Sequence, residues 1–323
     1  MKKFLSLVLA LTMMMSLVTI NAGAKEFTDD EELNYKEAVD VISEISVVDG
    51  YEDGSFKPQN TLTRGAAAKI ICNLILGPTT AAELHADTAP YKDVPVSNTF
   101  SGYIAYCAKE GIISGYADGS FRPAGTLTGY AFMKMLLGAL GYDATYEGYT
   151  GGNWSINVAK QAIGIGLNKG LVDEFNGVDF VTREEAALYA FNTLKATMVD
   201  YDQKITTNVN GVDVTISQGN AKPVTWTEGI NEDGNIKDDD FVQFAEEFFP
   251  KLVRKDDNDK FMAPANTWVY DKSEIGTYER TDLIVETYTT KVTGKDAYDL
   301  LKSGVITVSY THLRAHETVL DLV

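Results

Sequence analysis

Two stretches of this chain repeat one another, without a gap, at an offset of 65 residues. Gly50-Tyr51-Glu52-Asp53-Gly54-Ser55-Phe56-Lys57-Pro58 leads to Thr61-Leu62-Thr63, and Gly115-Tyr116-Ala117-Asp118-Gly119-Ser120-Phe121-Arg122-Pro123 leads to Thr126-Leu127-Thr128. A period of this length means stacked or symmetric units that share a core. Each copy sits in the same order of parts. An acidic opening comes first, Phe27-Thr28-Asp29-Asp30 or Tyr91-Lys92-Asp93-Val94; a helix, the copied loop and a second helix follow. In the first unit Ala38, Val41, Ile42 and Ile45 fall at helical spacing, then Ala66, Ile70, Leu74 and Ile75, with Gly77-Pro78 as the stop. In the second unit the helices run through Ile104 to Lys109 and through Phe132, Met135, Leu136 and Leu140.

A third, degenerate unit follows. Trp154 to Leu167 reads as a helix, Gly170-Leu171-Val172 echoes Gly111-Ile112-Ile113, and Thr182-Arg183-Glu184-Glu185 opens a helix through Leu188, Ala190, Phe191 and Leu194, but the copied loop is missing. An aromatic precedes the key threonine by 28 residues in every unit: Tyr35 to Thr63, Phe100 to Thr128 and Trp154 to Thr182. The fold class expected is mainly α, a pseudo-threefold bundle of three helix-loop-helix repeats, followed by a truncated α+β or mostly-β region. In that last region Asn210-Gly211 between Ile205–Val209 and Val212–Ile216 predicts a hairpin. Asp238-Asp239-Asp240 is expected to cap a helix carrying Phe241, Phe244, Phe248 and Phe249, and strands are expected at Thr267–Tyr270 and Ile284–Val292.

The ends carry processing and tail signals. Lys2 and Lys3, the apolar run Phe4 to Ile20 and the small residues Ala22-Gly23-Ala24 read as a secretory signal peptide, with no cysteine at the cleavage point for a lipid anchor. Residues from Val308 onward read as one frame of a sequencing adapter, so the natural chain is expected to continue differently. The expected divisions are a signal peptide at 1–24, repeats at 25–84, 85–145 and 146–198, a second domain over 199–307 and an artefactual tail over 308–323. The net charge of −18 argues against nucleic acid and against an anionic membrane as partners. The two cysteines, Cys72 and Cys107, lie in apolar helical stretches; an exported protein allows a disulfide between them, and two buried thiols are the simpler reading.

Candidate chemistry gathers where each loop meets its second helix. Thr63, Thr128 and Thr182 stand at N-cap positions, and Thr182 with Glu185 makes a capping box. Capping does not explain Arg64 and Arg183, which each follow the threonine. A cation at a helix N-terminus opposes the helix dipole unless an anion joins it. Either the arginine pairs with a local acid, the loop aspartate or Glu184, or it holds a carboxylate or phosphate together with the helix N–H groups. Trp154 divides between core filler and a stacking face for a sugar ring. No HExxH, GxSxG or P-loop pattern is present, His85 has no evident catalytic partners, and no cofactor is called for. The runs at 256–259 and 231–235 resemble calcium loops only loosely and read as solvated acidic loops.

The openings, the two GYxDGxFxP loops and the threonine–arginine helix starts resemble the S-layer homology family over residues 27 to about 198. The resemblance implies three repeats forming one mostly helical domain. It also implies non-covalent attachment to the bacterial cell wall through pyruvylated secondary cell-wall polysaccharide, held in grooves between repeats. It implies ligand-binding roles for Thr63, Arg64, Thr182, Arg183 and Trp154, with the arginines meeting the pyruvyl carboxylate. The second repeat has Gly129 in place of the arginine and the third lacks the loop, so two grooves are expected rather than three, with loop and arginine lost independently. The localisation expected is secreted and wall-bound. A structural S-layer subunit with self-assembly, or a wall-bound enzyme whose catalytic part lies further on, are the competing readings; within 199–307 no catalytic constellation is seen.

Overall fold

The computed structural model describes residues 23–201, 206–209, 212–215, 219–226, 235–283 and 295. The signal segment through residue 22, the Asn210-Gly211 turn, the acidic run 231–234, the strand expected at 284–292 and the tail from 308 lie outside the described residues.

The first region is helical. After a 3-10 turn at Asp30–Glu32 come α1 (Lys36–Glu44), α2 (Arg64–Leu76), α3 (Pro78–Ala82), α4 (Ser101–Lys109), α5 (Gly129–Ala139), α6 (Trp154–Gly164) and α7 (Arg183–Leu194). The short α3 was not expected. Gly77, at φ 74°, ends α2, and Pro78 then starts a new helix at the one position where its missing N–H costs nothing. The apolar positions read from the periodicity face inward: Val41, Ile42, Ile45, Leu74, Phe132, Leu136 and Leu194 are all buried.

Each copied loop is held by the acidic opening of its own unit. Lys57 and Arg122 sit at φ 55° and 59°, a left-handed conformation that costs a non-glycine residue about 1 kcal/mol. The carboxylate of Asp29 offsets that strain by accepting the N–H groups of Phe56 and Lys57, both at 2.7 Å. Asp93 does the same for Phe121 and Arg122 at the same distances. The result drives the Phe56 and Phe121 rings into the core.

Past the loops, the segments that lead into α2, α5 and α7 meet in a closed ring of backbone hydrogen bonds. The Leu62 N–H donates to the Val181 carbonyl at 2.7 Å, the Val181 N–H to Leu127 at 3.0 Å, and the Leu127 N–H to Leu62 at 3.2 Å. All three side chains are buried. Cys72 on α2 and Cys107 on α4 meet nearby as free, buried thiols with their sulfurs 3.5 Å apart. The contact with Cys107, together with burial, pushes the Cys72 thiol far above its usual range.

The remainder is built from small antiparallel sheets. The strand β1 (Val199–Asp200) pairs with β4 (Lys222–Pro223), β2 (Thr206–Val209) with β3 (Val212–Thr215), and β5 (Leu252–Asn258), β6 (Pro264–Tyr270) and β7 (Ser273–Glu279) form a meander. The hairpin register places Val209 opposite Val212, as the Asn-Gly signal predicts. Two expectations are corrected. The phenylalanine helix is only α8 (Phe244–Phe248), and its start is closed by the Glu246 carboxylate, which accepts the Gln243 N–H at 2.9 Å, not by the aspartates; Asp239 instead accepts from Phe241 N–H and the Gln243 amide. The 256–258 part of the acidic run lies in β5, where Asp256 pairs with Arg254 and Arg280 at 3.6 and 3.8 Å, rather than in a free loop.

This region does not stand apart from the helices. One apolar cluster runs from Phe27 to Ile275, with the Phe191 and Trp268 rings 5.2 Å apart across the junction. The Trp268 indole N–H donates to Glu37 at 2.7 Å, and the Tyr278 hydroxyl donates to Asp40 at 2.6 Å.

Candidate functional site

The three threonines cap as the sequence predicts. Thr63 Oγ1 accepts from Ala66 N–H at 3.2 Å, Thr128 Oγ1 from Ala131 at 3.4 Å, and Thr182 Oγ1 from Glu185 at 3.3 Å, with Glu185 returning the bond to Thr182 N–H at 2.7 Å. Each cap also turns the first N–H groups of its helix toward the loop of another unit. Arg64 and Gly65 N–H donate to Gly125 and Pro123, Arg183 and Glu184 to Asn60 and Pro58, and Gly129 and Tyr130 to Asp179 and Gly177.

That exchange decides where the arginines go. Arg64, from the first unit, lies against the copied loop of the second. Its Nε–H donates to the Phe121 carbonyl at 2.8 Å and an Nη2–H to Ser114 at 3.2 Å, with the guanidinium over the Phe121 and Tyr116 rings at 4.4 and 5.0 Å. Arg183, from the third unit, repeats this geometry on the first loop. Its Nε–H donates to the Phe56 backbone carbonyl at 2.8 Å and an Nη2–H to the Asp49 backbone carbonyl at 2.9 Å, with the Tyr51 and Phe56 rings at 4.6 and 4.9 Å. Every contact residue of one arginine is the contact residue of the other, shifted by the repeat.

The local-acid explanation for these arginines fails. Neither has a carboxylate within ion-pair distance among the described residues. Asp53 is taken by Lys57 at 2.8 Å and by Ser55, and Asp118 by Ser120, Arg122 and Lys92. Glu184 is buried and accepts from the Asn34 N–H and side-chain amide, both at 2.9 Å, and from Gln59 at 2.6 Å. A guanidinium has five N–H donors; backbone carbonyls engage two of them and leave the rest for a ligand. Burial pushes both guanidinium groups below their usual range, and the more distant Asp93 for Arg64 and Asp29 and Asp49 for Arg183 oppose that only in part.

Around Arg64 this becomes a groove of about 330 Å³ to which all three units contribute. The first supplies Arg64, the second the loop edge from Ser114 to Tyr116 together with Lys134 of α5, and the third Tyr149 and Trp154. The Lys134 ammonium lies 5.9 Å from the centre of the Trp154 ring, and burial pushes it down as well. Arg64 and Trp154, both singled out from the sequence, thus share one cavity. Thr63 is not among its lining residues and serves the cap. Lys134 was missed, although the repeat offset carries a signal for it: Lys69 stands at the corresponding position of α2.

The third junction is filled. A Cβ on Gly129 would come within 3.0 Å of the Gly177 Cα and 3.2 Å of the Phe175 ring, and the Tyr130 ring packs edge-on to Phe175 at 5.9 Å. The sequence pairs each loop with the arginine that follows it, which makes the losses look independent. The structure seats each arginine on a loop from elsewhere in the chain, and Gly129, which stands where Arg64 and Arg183 stand, faces the 175–179 segment, which lacks the copied loop motif.

Comparison with known proteins bears on this arrangement. The S-layer homology domain model matches residues 26–68 and 90–129. The two matched segments each run from the acidic opening through the loop to the start of the second helix; the third unit is not matched. The chain is 25% identical over 188 residues to a surface layer protein of Brevibacillus choshinensis, covering 58% of this chain and 17% of that protein. It is 28% identical over 134 residues to a cellulosome-anchoring protein of Acetivibrio thermocellus, covering 39% and 30%. It is also 28% identical over 153 residues to an uncharacterized cell wall amidase of Bacillus anthracis, covering 45% and 28%. The chain therefore spans less than a third of these relatives. The domain matches and the surface-protein relatives indicate a secreted protein associated with the cell wall. No helix among the described residues is long and apolar enough to cross a membrane.

Proposed function

We propose that residues 25–198 form one wall-anchoring module of three repeats, at 25–84, 85–145 and 146–198, arranged about a pseudo-threefold axis. Its ligand is pyruvylated secondary cell-wall polysaccharide, and it tethers whatever follows residue 199 to the wall. The observation that carries this reading is the pair of equivalent arginines, held by backbone carbonyls and lacking a carboxylate partner.

A pyruvyl ketal places one carboxylate on a sugar ring, which needs a cationic fork beside an apolar face. The Arg64 groove supplies the fork, a second cation in Lys134 and the Trp154 ring. Arg183 with Tyr51 and Phe56 forms the second contact of the same kind. Two separate contacts along one polymer raise the effective affinity without either being tight alone.

The experiment is a pull-down of the protein by purified pyruvylated polysaccharide. Wild type is retained, chemically depyruvylated glycan retains little, and the folded Arg64→Ala/Arg183→Ala variant is lost from the pellet. Equal retention of the folded double variant overturns the assignment of the arginines.

A further inference from the structure

A second cavity, of about 540 Å³, lies away from the arginine grooves, where α1 and α7 meet the β5–β7 sheet. It is within the size range of small-molecule sites. Its walls combine five cations, Lys36, Lys169, Lys195, Arg254 and Arg280, and three carboxylates, Glu37, Glu279 and Asp282, with the aromatic surfaces of Phe191 and Tyr278.

The charges facing it do not all cancel. Arg280 and Asp282 satisfy each other at 3.1 Å. Glu37 is engaged by Trp268 at 2.7 Å and by Asn266 at 3.4 Å. Lys36 is engaged by Asp30 and Asp40 at 2.9 and 3.1 Å. Lys195 is different: its ammonium rests 3.8 Å from the centre of the Phe191 ring, and no carboxylate lies within ion-pair distance among the described residues. Arg254 reaches Asp256 only through Nη2, at 3.6 Å, and its Nε–H is buried without a partner. The Asn266 Oδ1 is buried and unpartnered too.

Burial pushes the Lys195 ammonium down to about 8, with Lys169 and Arg254 adding repulsion and Glu37 and Asp282 opposing it. As the C-cap of α7, Lys195 gains from the helix dipole, which accounts for a cation at that point. The dipole does not account for a buried Arg254 Nε–H in the same wall. The Arg254 side chain is 27% exposed and reaches Asp256 only at 3.6 Å through Nη2, so its Nη groups are the donors that an incoming anion meets.

We propose that this junction is a second binding site, for a sugar carrying a carboxylate or phosphate, with Lys195 and Arg254 as the anion donors and the aromatic surfaces as the wall for the ring. It differs from the anchoring grooves in using the sheet that follows the repeats, so the region after residue 199 takes part in recognition. Affinity here is independent of Arg64 and Arg183.

The test is calorimetric titration of the full chain with glucuronate and with glucose 6-phosphate, against glucose and inorganic phosphate. At least one charged sugar binds, glucose does not, and inorganic phosphate binds at least tenfold more weakly than the sugar. Lys195→Met weakens binding at least tenfold and Lys195→Arg restores most of it, while Arg64→Ala changes it less than twofold. Because Lys195→Met alters a buried position, the ammonium of the wild-type protein is also followed by NMR, and saturating charged sugar raises its titration midpoint. Absence of binding by both charged sugars, equal binding of glucose, or equal loss in Arg64→Ala overturns the proposal. The last result assigns the charged sugar to the anchoring groove and leaves the anchoring reading intact.

Discussion

The Arg64 groove and the Gly129 junction are the same architectural position filled in opposite ways. At the first, a guanidinium lies across the neighbouring loop, and a cavity opens between it and Trp154. At the second, glycine lets Gly177 and Phe175 close directly onto the helix start. The backbone hydrogen bonds beneath are alike, Arg64 N–H to Gly125 at 2.9 Å and Gly129 N–H to Asp179 at 3.0 Å. The backbone arrangement is the same whether or not a groove opens there. What opens the groove is a side chain from one part of the chain lying on a loop from another.

The largest effects are expected at the arginines. Arg64→Ala and Arg183→Ala singly should each weaken binding to pyruvylated polysaccharide by about 10- to 100-fold, the worth of a hydrogen bond to a charged group. Arg→Lys at either position should recover little of that, because an ammonium cannot reproduce the fork. Calorimetry with a defined pyruvylated fragment reads both.

The converse substitution, Gly129→Arg, should create no third site. It forces Gly177 and Phe175 apart and should lower stability by about 1–3 kcal/mol, seen as a drop in the thermal midpoint with glycan affinity unchanged. A gain in affinity would show that the junction is open.

A smaller effect is expected from the aspartates that hold the loops. Asp29→Ala or Asp93→Ala removes the carboxylate that accepts from two backbone N–H groups and should cost about 1–2 kcal/mol, and each should weaken only the arginine seated on its own loop: Arg183 for Asp29, Arg64 for Asp93. Asp93 also carries a pH signature. The hydrogen bonds from Phe121 and Arg122 N–H hold its carboxyl below the usual range. Its contribution is therefore complete above the unfolded value of about 3.9 and disappears as pH falls through the lower folded value. Acid titration of wild type against Asp93→Ala should converge there.

The smallest change is Tyr116→Ala against Tyr51→Ala. Each removes one ring from beside a guanidinium, worth about 0.5–1 kcal/mol, and the two should match. Unequal losses would mark the grooves as functionally distinct.

Local rules carried much of this into the sequence. The N-caps, the helix periods and the Asp-Gly turns depend on neighbours within a few residues, and they appear where the spacing put them. The pairing of arginine with loop depends on contacts across 57 and 127 positions, Arg64 to Phe121 and Arg183 to Phe56, and no local pattern encodes which unit reaches which. Lys134 escaped notice for the opposite reason: a lysine on an otherwise apolar helix reads as a solvated edge until Trp154 is placed beside it. The start of α8 is set by the buried Glu246 carboxylate on the Gln243 N–H and not by the aspartates, a choice fixed by burial that charge count does not reveal.

The closed circuit through Leu62, Val181 and Leu127 has a consequence for how such a chain can change. A linear stack can shed its last member and expose one more face. A circuit of three cannot, because removing any member leaves the other two with an unmet donor and an unmet acceptor at the centre. The segment around Val181 is thus a keystone: without it the arch stays open, and Trp154, ahead of it in the chain, lines the groove beside Arg64.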